Sequence, residues 1–221
     1  MKIKLFIGVI LAIGLAASGA WADVTQPITT SGLIITSGDK TFTDFTCTIT
    51  SSGGAVPLAC SQVGVVAATD SGDRGIKFQG FFQALCISCA FPYSSEDVNI
   101  GYVVTAPSKR ITDIHMVYDG SQWGTGRSVV NEQVFAGLAV VGDITVYDPP
   151  PSFTDSQVLT AGPYTSLRVA KDIGLTSGAD GEASLSDIGQ YFSQTTVPEP
   201  ASILLFGTLL LGCGALLRKR A

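Results

Sequence analysis

Short apolar runs that alternate residue by residue with polar ones, none of them longer than a strand, constrain this chain more than any other feature. Phe45, Cys47 and Ile49 alternate with Thr46, Thr48 and Thr50, and Ile76, Phe78, Gly80 and Phe82 alternate with Lys77 and Gln79. Val98, Ile100, Tyr102 and Val104 repeat the pattern, as do Val140, Gly142, Ile144 and Val146. A period of two sends successive side chains to opposite faces, so each run reads as a half-buried strand. Further strands are expected over Gln62 to Ala68, Ile111 to Tyr118, Ser128 to Phe135 and Thr165 to Ile173. Turn chemistry at Ser52-Gly53-Gly54, Asp119-Gly120 and Asp180-Gly181 punctuates them. No window holds a helical period over three turns, although Leu185, Ile188 and Phe192 are spaced as one face of a short helix. The expectation is all-β: an antiparallel β-sandwich, jelly-roll-like in outline, with a barrel as the alternative. No repeat of fixed period points to a solenoid or propeller.

Both ends of the chain break this pattern. Lys2 and Lys4 precede the apolar stretch Leu5 to Ala17, and Ala20-Trp21-Ala22 then offers small residues in the spacing a signal peptidase reads. Residues 1–22 are therefore expected to be a signal peptide, with the mature chain starting at Asp23. The apolar stretch is short against the ~20 residues of a membrane anchor. At the other end, Val197-Pro198-Glu199-Pro200 leads into Ala201 to Leu217, which carries no charge, and then into Arg218-Lys219-Arg220. A helix over that apolar run reaches about 25 Å, enough for a thin transmembrane span. The basic cluster behind it belongs on the cytoplasmic side. Pro198 and Pro200 hold the preceding segment extended, a form that fits the cleft of a processing enzyme.

This division leaves one domain, 23–194, between the signal peptide and a tail over 195–221. It also explains a mean hydropathy of +0.38, since the two ends carry much of the apolar content. Five of the 13 Lys and Arg lie at the ends, but of the 18 Asp and Glu only Glu199 does. The domain thus keeps eight basic and seventeen acidic residues, a net charge of −9. Such a surface repels phosphate backbones and anionic lipid, which argues against a nucleic-acid partner.

The tail from Val197 through Pro198, Glu199, Pro200 and Ala201 to Arg218, Lys219 and Arg220 resembles the PEP-CTERM sorting signal of exopolysaccharide-producing Gram-negative bacteria. The resemblance implies recognition by an exosortase, a membrane cysteine protease-like transpeptidase, and removal of the tail. It implies export through the inner membrane to the cell surface or the extracellular matrix. The middle of the chain is also similar to a group of secreted PEP-CTERM proteins. That similarity rests on Asp39-Lys40-Thr41-Phe42 with Phe45, on Ile76-Lys77-Phe78, and on Val98, Ile100 and Tyr102 before Thr105-Ala106-Pro107. Lys171-Asp172-Ile173, Gly181 to Leu185 and Tyr191-Phe192-Ser193-Gln194 extend it. It implies the sandwich and attaches no activity.

Candidate chemistry is sparse. Cys47, Cys60, Cys86 and Cys89 lie in the exported domain and Cys213 in the tail. Four cysteines in an oxidising compartment read as two disulfides. Cys47 with Cys60 and Cys86 with Cys89 is the preferred pairing, and two others stay open. A redox reading of Cys86-Ile87-Ser88-Cys89 requires a helix N-terminus to lower the thiol pKa. Zinc requires a second closely spaced pair, which Cys47 and Cys60 do not form.

His115 is the only histidine, so any Ser-His-Asp or Cys-His arrangement must use it. Beside Ile114 and Met116 it is expected as a structural residue on a strand, and no Gly-x-Ser-x-Gly elbow accompanies it. A hydrolase would require acids gathered around it. Asp70-Ser71-Gly72-Asp73 and Asp180-Gly181-Glu182 suit a loose calcium site but are equally ordinary turns. Seventeen acids include many conceivable glycosidase pairs, and spacing singles out none. Trp123 is the candidate sugar platform, with a core or turn position as the plainer expectation. The Thr46, Thr48 and Thr50 row, too short for an ice-binding array, reads as a solvent face.

The expected function is that of an exported, non-catalytic surface or matrix protein without a cofactor. Its processing partners would be signal peptidase and exosortase. The membrane, through the tail, and exopolysaccharide are the further expected partners, and nucleic acid is not; a carbohydrate- or calcium-binding module and a secreted hydrolase are the alternatives.

Overall fold

The computed structural model describes residues 24–53, 55, 58–86 and 93–195. Twelve strands account for most of them. They are β1 (Gln26–Pro27), β2 (Ile35–Ser37), β3 (Lys40–Ser52), β4 (Gly64–Asp70), β5 (Asp73–Cys86) and β6 (Ser95–Thr105). After them come β7 (Arg110–Gly124), β8 (Arg127–Ala136), β9 (Ala139–Asp148), β10 (Thr154–Val158), β11 (Ser166–Thr176) and β12 (Gly181–Thr195). One sheet runs β1-β4-β5-β12-β7-β10 and the other β2-β3-β6-β11-β8-β9. Every pairing is antiparallel. The expected β-sandwich is what forms, because each strand has one apolar face and two such sheets bury both faces against each other. The expected signal peptide and transmembrane helix lie outside the described residues, and within them no helix is long and apolar enough to cross a membrane.

Bulges correct three sequence expectations. The pairing of β12 slips between Leu185 and Asp187. An extra residue there shifts the inward positions from Ala183 and Leu185 to Ile188 and Phe192, all buried. The helix-like spacing of Leu185, Ile188 and Phe192 is thus a strand with a bulge in it, not a helical turn. Asp119-Gly120 pairs against this bulge within β7 and makes no turn. In β9 a slip at Val134/Phe135 of the partner strand turns Val141 inward, and leaves Val140, expected in the core, 49% exposed.

A third bulge, in β3 between Thr43 and Thr46, reverses which residues face the core. Phe42 points inward before it, and Phe45, Cys47 and Ile49 pack against the core after it. Asp44 sits at the bulge with φ of 56°, the left-handed region that Asp tolerates better than most residues.

The core is aromatic at this end of the sandwich. The ring of Tyr102 lies 6.1 Å from Phe42, 5.8 Å from Phe45 and 5.7 Å from Phe78, while Phe192 lies 5.9 Å from Phe42. These residues come from both sheets, and burying each large apolar side chain contributes about 1.5–3 kcal/mol. Cys47 on β3 is bonded to Cys60, in the single helical turn Cys60–Gln62 that leads to β4. This disulfide, as expected from the sequence, joins a strand of one sheet to the approach of a strand in the other.

Candidate functional site

A broad concave surface lies on the outer face of the sheet β2-β3-β6-β11-β8-β9, a groove of about 800 Å³. Strand register builds it. One row across five strands runs Thr46, Gly101, Ala170, Gln133, Asp143. The next runs Thr48, Asn99, Asp172, Asn131, Thr145. The two smallest side chains stand together in the middle of the first row, so the sheet surface is low there and polar groups rise on either side. Gly101 is required for this closeness: a Cβ there would meet Thr46 Oγ1 at 2.6 Å. The bulge in β3 brings Asp44 to the same groove.

The polar groups are held in pairs. Gln133 Nε2 donates to Asp143 Oδ2 at 3.1 Å, Thr145 Oγ1 donates to Asn131 Oδ1 at 3.0 Å, and Asn99 Nδ2 donates to Asp97 Oδ1 at 2.5 Å. Arg168 lies with its guanidinium 4.0 Å from the centre of the Phe135 ring, an arrangement that steadies both. Burial first, and the neighbouring Asp97 second, push the Asp172 carboxyl above its ordinary value. The result is an open trough with amide, carboxylate, hydroxyl and guanidinium groups whose remaining donors and acceptors face solvent. Such a surface suits a polyhydroxylated ligand lying along the sheet.

Sequence reasoning saw the Thr46 and Thr48 row as a solvent face but missed its partners. Asn99, Asn131, Gln133, Asp143, Arg168 and Asp172 all occupy outward positions of their strands, and that much was readable. Which of them stand side by side depends on register and bulges.

The sequence candidates fall elsewhere. Trp123 is not in the core but enters the turn from β7 to β8, its carbonyl accepting from the Gly126 N–H at 3.1 Å; it lies in the opposite sheet, 45% exposed, with its indole N–H donating to Glu182 Oε2 at 2.9 Å. Gln83 donates to the other Glu182 oxygen at 2.7 Å, so that carboxylate is already engaged. Asp70 and Asp73 close the β4–β5 hairpin as a facing pair. Asp70 Oδ2 lies 3.5 Å from His115 Nδ1, and Asp73 accepts a hydrogen bond from Ser193 Oγ at 2.7 Å. No group of three or more potential metal ligands is assembled among the described residues.

His115 lies on β7, beside Tyr191 at 5.8 Å, and borders a shallow cleft of about 330 Å³ with Asp73, Asp113, Ser156 and Ser193. Acids are therefore gathered near the histidine. Nucleophilic catalysis also needs a hydroxyl hydrogen-bonded to the imidazole. Here Ser193 gives its hydroxyl hydrogen to Asp73 instead. Cys86 is disulfide-bonded, as expected. Its expected partner Cys89 lies outside the described residues, as do the cleavage residues Ala20, Ala22 and Asp23.

Residues 196–220 match the family described as the PEP-CTERM protein-sorting motif. Residues 196–220 thus carry the sorting signal that the tail resembles, a signal of exported proteins sorted to the cell envelope. The match lies outside the described residues and leaves the sandwich unassigned. No curated protein matches the sequence. Among solved structures, the chain is similar to the enzymatically active domain of tailspike protein 4 of bacteriophage CBA120, with 11% identity and a TM-score of 0.33. That alignment covers 66% of this chain but only 19% of the tailspike's. It is also similar to TmCBM61, solved in complex with β-1,4-galactotriose, with 10% identity and a TM-score of 0.32 over 66% of this chain and 88% of the other.

Proposed function

We propose that the PEP-CTERM motif carries this sandwich outside the cell, where the domain is a non-catalytic carbohydrate-binding module of the extracellular matrix. The observation that carries the reading is the groove, in which polar rows flank the low floor at Gly101 and Ala170. Sugar hydroxyls both donate and accept hydrogen bonds, and the amides of Asn99, Asn131 and Gln133 offer both in return. The acidic domain charge favours a neutral or cationic glycan over a strongly anionic one. The non-catalytic part of the reading rests on the paired hydrogen bonds of the groove and on its distance from His115, which belongs to the other sheet.

In this account signal peptidase cuts after Ala22, and exosortase removes the tail near Pro198 to Ala201. The processed domain is then left at the envelope or in the exopolysaccharide. Two experiments test it. Mass spectrometry of the protein from fractionated producing cells should find a chain starting at Asp23 and ending near Pro198 to Ala201. A chain ending at Ala221 in the membrane fraction would refute the processing. Titration with the cell's own exopolysaccharide and with neutral oligosaccharides should show binding that Ala170→Trp abolishes by filling the floor. Equal binding by the wild type and A170W would refute the groove.

A further inference from the structure

Among the inward strand positions that carry polar side chains where the pattern calls for apolar ones, three meet in the middle of the core. Glu132 stands between Val130 and Val134 on β8, Lys171 between Val169 and Ile173 on β11, and Gln190 between Ile188 and Phe192 on β12. All three are shut off from solvent. Glu132 and Lys171 face each other in direct register on neighbouring strands, and Gln190 reaches them from the opposite sheet. Lys171 Nζ lies 2.6 Å from Glu132 Oε2 and 3.2 Å from Gln190 Oε1, with Met116 Sδ at 3.0 Å. The carboxamide is held from behind as well, since Gln190 Nε2 donates to the His115 carbonyl at 3.2 Å.

A plain buried ion pair accounts for this cluster poorly. Glu132 Oε1 and the Tyr102 hydroxyl are buried and have no hydrogen-bond partner among the described residues. A charged pair so incompletely surrounded loses more on leaving water than its attraction returns. Burial accordingly raises the Glu132 carboxyl and lowers the Lys171 ammonium, each toward its neutral form and against their mutual attraction. A neutral primary amine is a nucleophile; an ammonium is not. It is held against a carboxamide, with a proton-carrying group in contact, so no encounter is needed to bring the reacting groups together.

We propose that Lys171 and Gln190 join in an intramolecular isopeptide bond, with Glu132 as the proton carrier and ammonia as the leaving group. The Nζ lone pair attacks Gln190 Cδ, forming the new C–N bond. The Glu132 carboxyl, protonated in the neutral pair, gives its proton to the departing nitrogen as the Cδ–Nε2 bond breaks and takes one back from Nζ. One amide replaces another, ammonia is released, Glu132 returns to its starting state, and no oxidant or other co-reactant is consumed. The bond ties β11 to β12, and so one sheet to the other, through the middle of the core. Unlike Cys47–Cys60 it withstands reduction, which suits a protein standing outside the cell. The proposal is independent of what the groove binds.

The test uses the protein purified from producing cells, denatured, reduced and digested with a protease that cleaves after Glu. Cleavage at Glu182 separates Lys171 from Gln190 along the chain. The two fragments are expected as one branched species, lighter by one ammonia than their sum, with fragmentation placing the link at these residues. Glu132→Gln keeps the size and shape of the side chain, and linkage is expected to slow by about 10²–10⁴-fold. Two unlinked fragments of sequence mass from the wild type would overturn the proposal. So would a species lighter by one water and joined at Glu132, which would make the carboxyl rather than the carboxamide the electrophile. The wild-type digest decides the matter even if E132Q fails to fold.

Discussion

Removing the Cys47–Cys60 disulfide by the double substitution Cys47→Ser with Cys60→Ser is expected to cost about 3 kcal/mol. The figure follows from the loop. The two cysteines are 13 residues apart in sequence, and cross-linking a loop of that size removes about 10 cal/mol/K of entropy from the unfolded chain. The folded state loses little in exchange, because Cys47 and Cys60 are only partly buried at the margin of the core and serine occupies nearly the same space. The tie also spans the sheets, so its loss frees β3 and the β4 approach to part early.

Urea denaturation of the exported protein, followed by tryptophan fluorescence, measures this. With a slope of about 1–3 kcal/mol per molar, the midpoint is expected to fall by about 1–3 M. Reductant added to the wild type should reproduce at least that fall. A loss below about 0.5 kcal/mol would refute the loop argument, since it would mean that the unfolded chain is not constrained by this link.

Three further outcomes are expected. Phe42→Ala should cost about 3–5 kcal/mol in the same assay, because the ring is buried between Tyr102 and Phe192 and its cavity opens at the meeting of two sheets. Asp172 has a folded pKa above its ordinary value, so the folded chain holds a proton that the unfolded chain has released. Its contribution to stability is complete below the ordinary carboxylate range and is lost as the pH rises through the raised value. Asp172→Asn should therefore reduce the fall in melting temperature over that window; Glu96 and Glu132, shifted the same way by burial, keep it from vanishing. Gln133→Ala should weaken glycan binding with little change in stability, because the side chain lies on the outer face and its bond to Asp143 is exposed; unchanged affinity by calorimetry would remove Gln133 from the ligand contacts.

Much of the architecture was legible before any coordinates. The strand pattern located β3, β4, β5, β6, β7, β8, β9 and β11 because burial of one face is a local consequence of period two. It failed where a bulge inserted a residue. Leu185, Ile188 and Phe192 imitated a helix, Val140 was placed on the wrong face, and Asp119-Gly120 looked like a turn although it pairs within β7. A bulge is visible only when the partner strand is known, since it is a mismatch between two strands and not a property of one.

The sequence by itself determined the two-faced strands, the acidic domain and the sorting tail, since each is written in neighbouring residues or in simple composition; it made Cys47–Cys60 the preferred pair, which the structure then fixed. Only the tertiary structure decided that Gly101 and Ala170 lie side by side beneath a polar groove, and that Lys171 Nζ meets both Glu132 and Gln190. The reason is register: which residues become neighbours across a sheet or between sheets is fixed by pairings among distant segments, and no local pattern carries that choice.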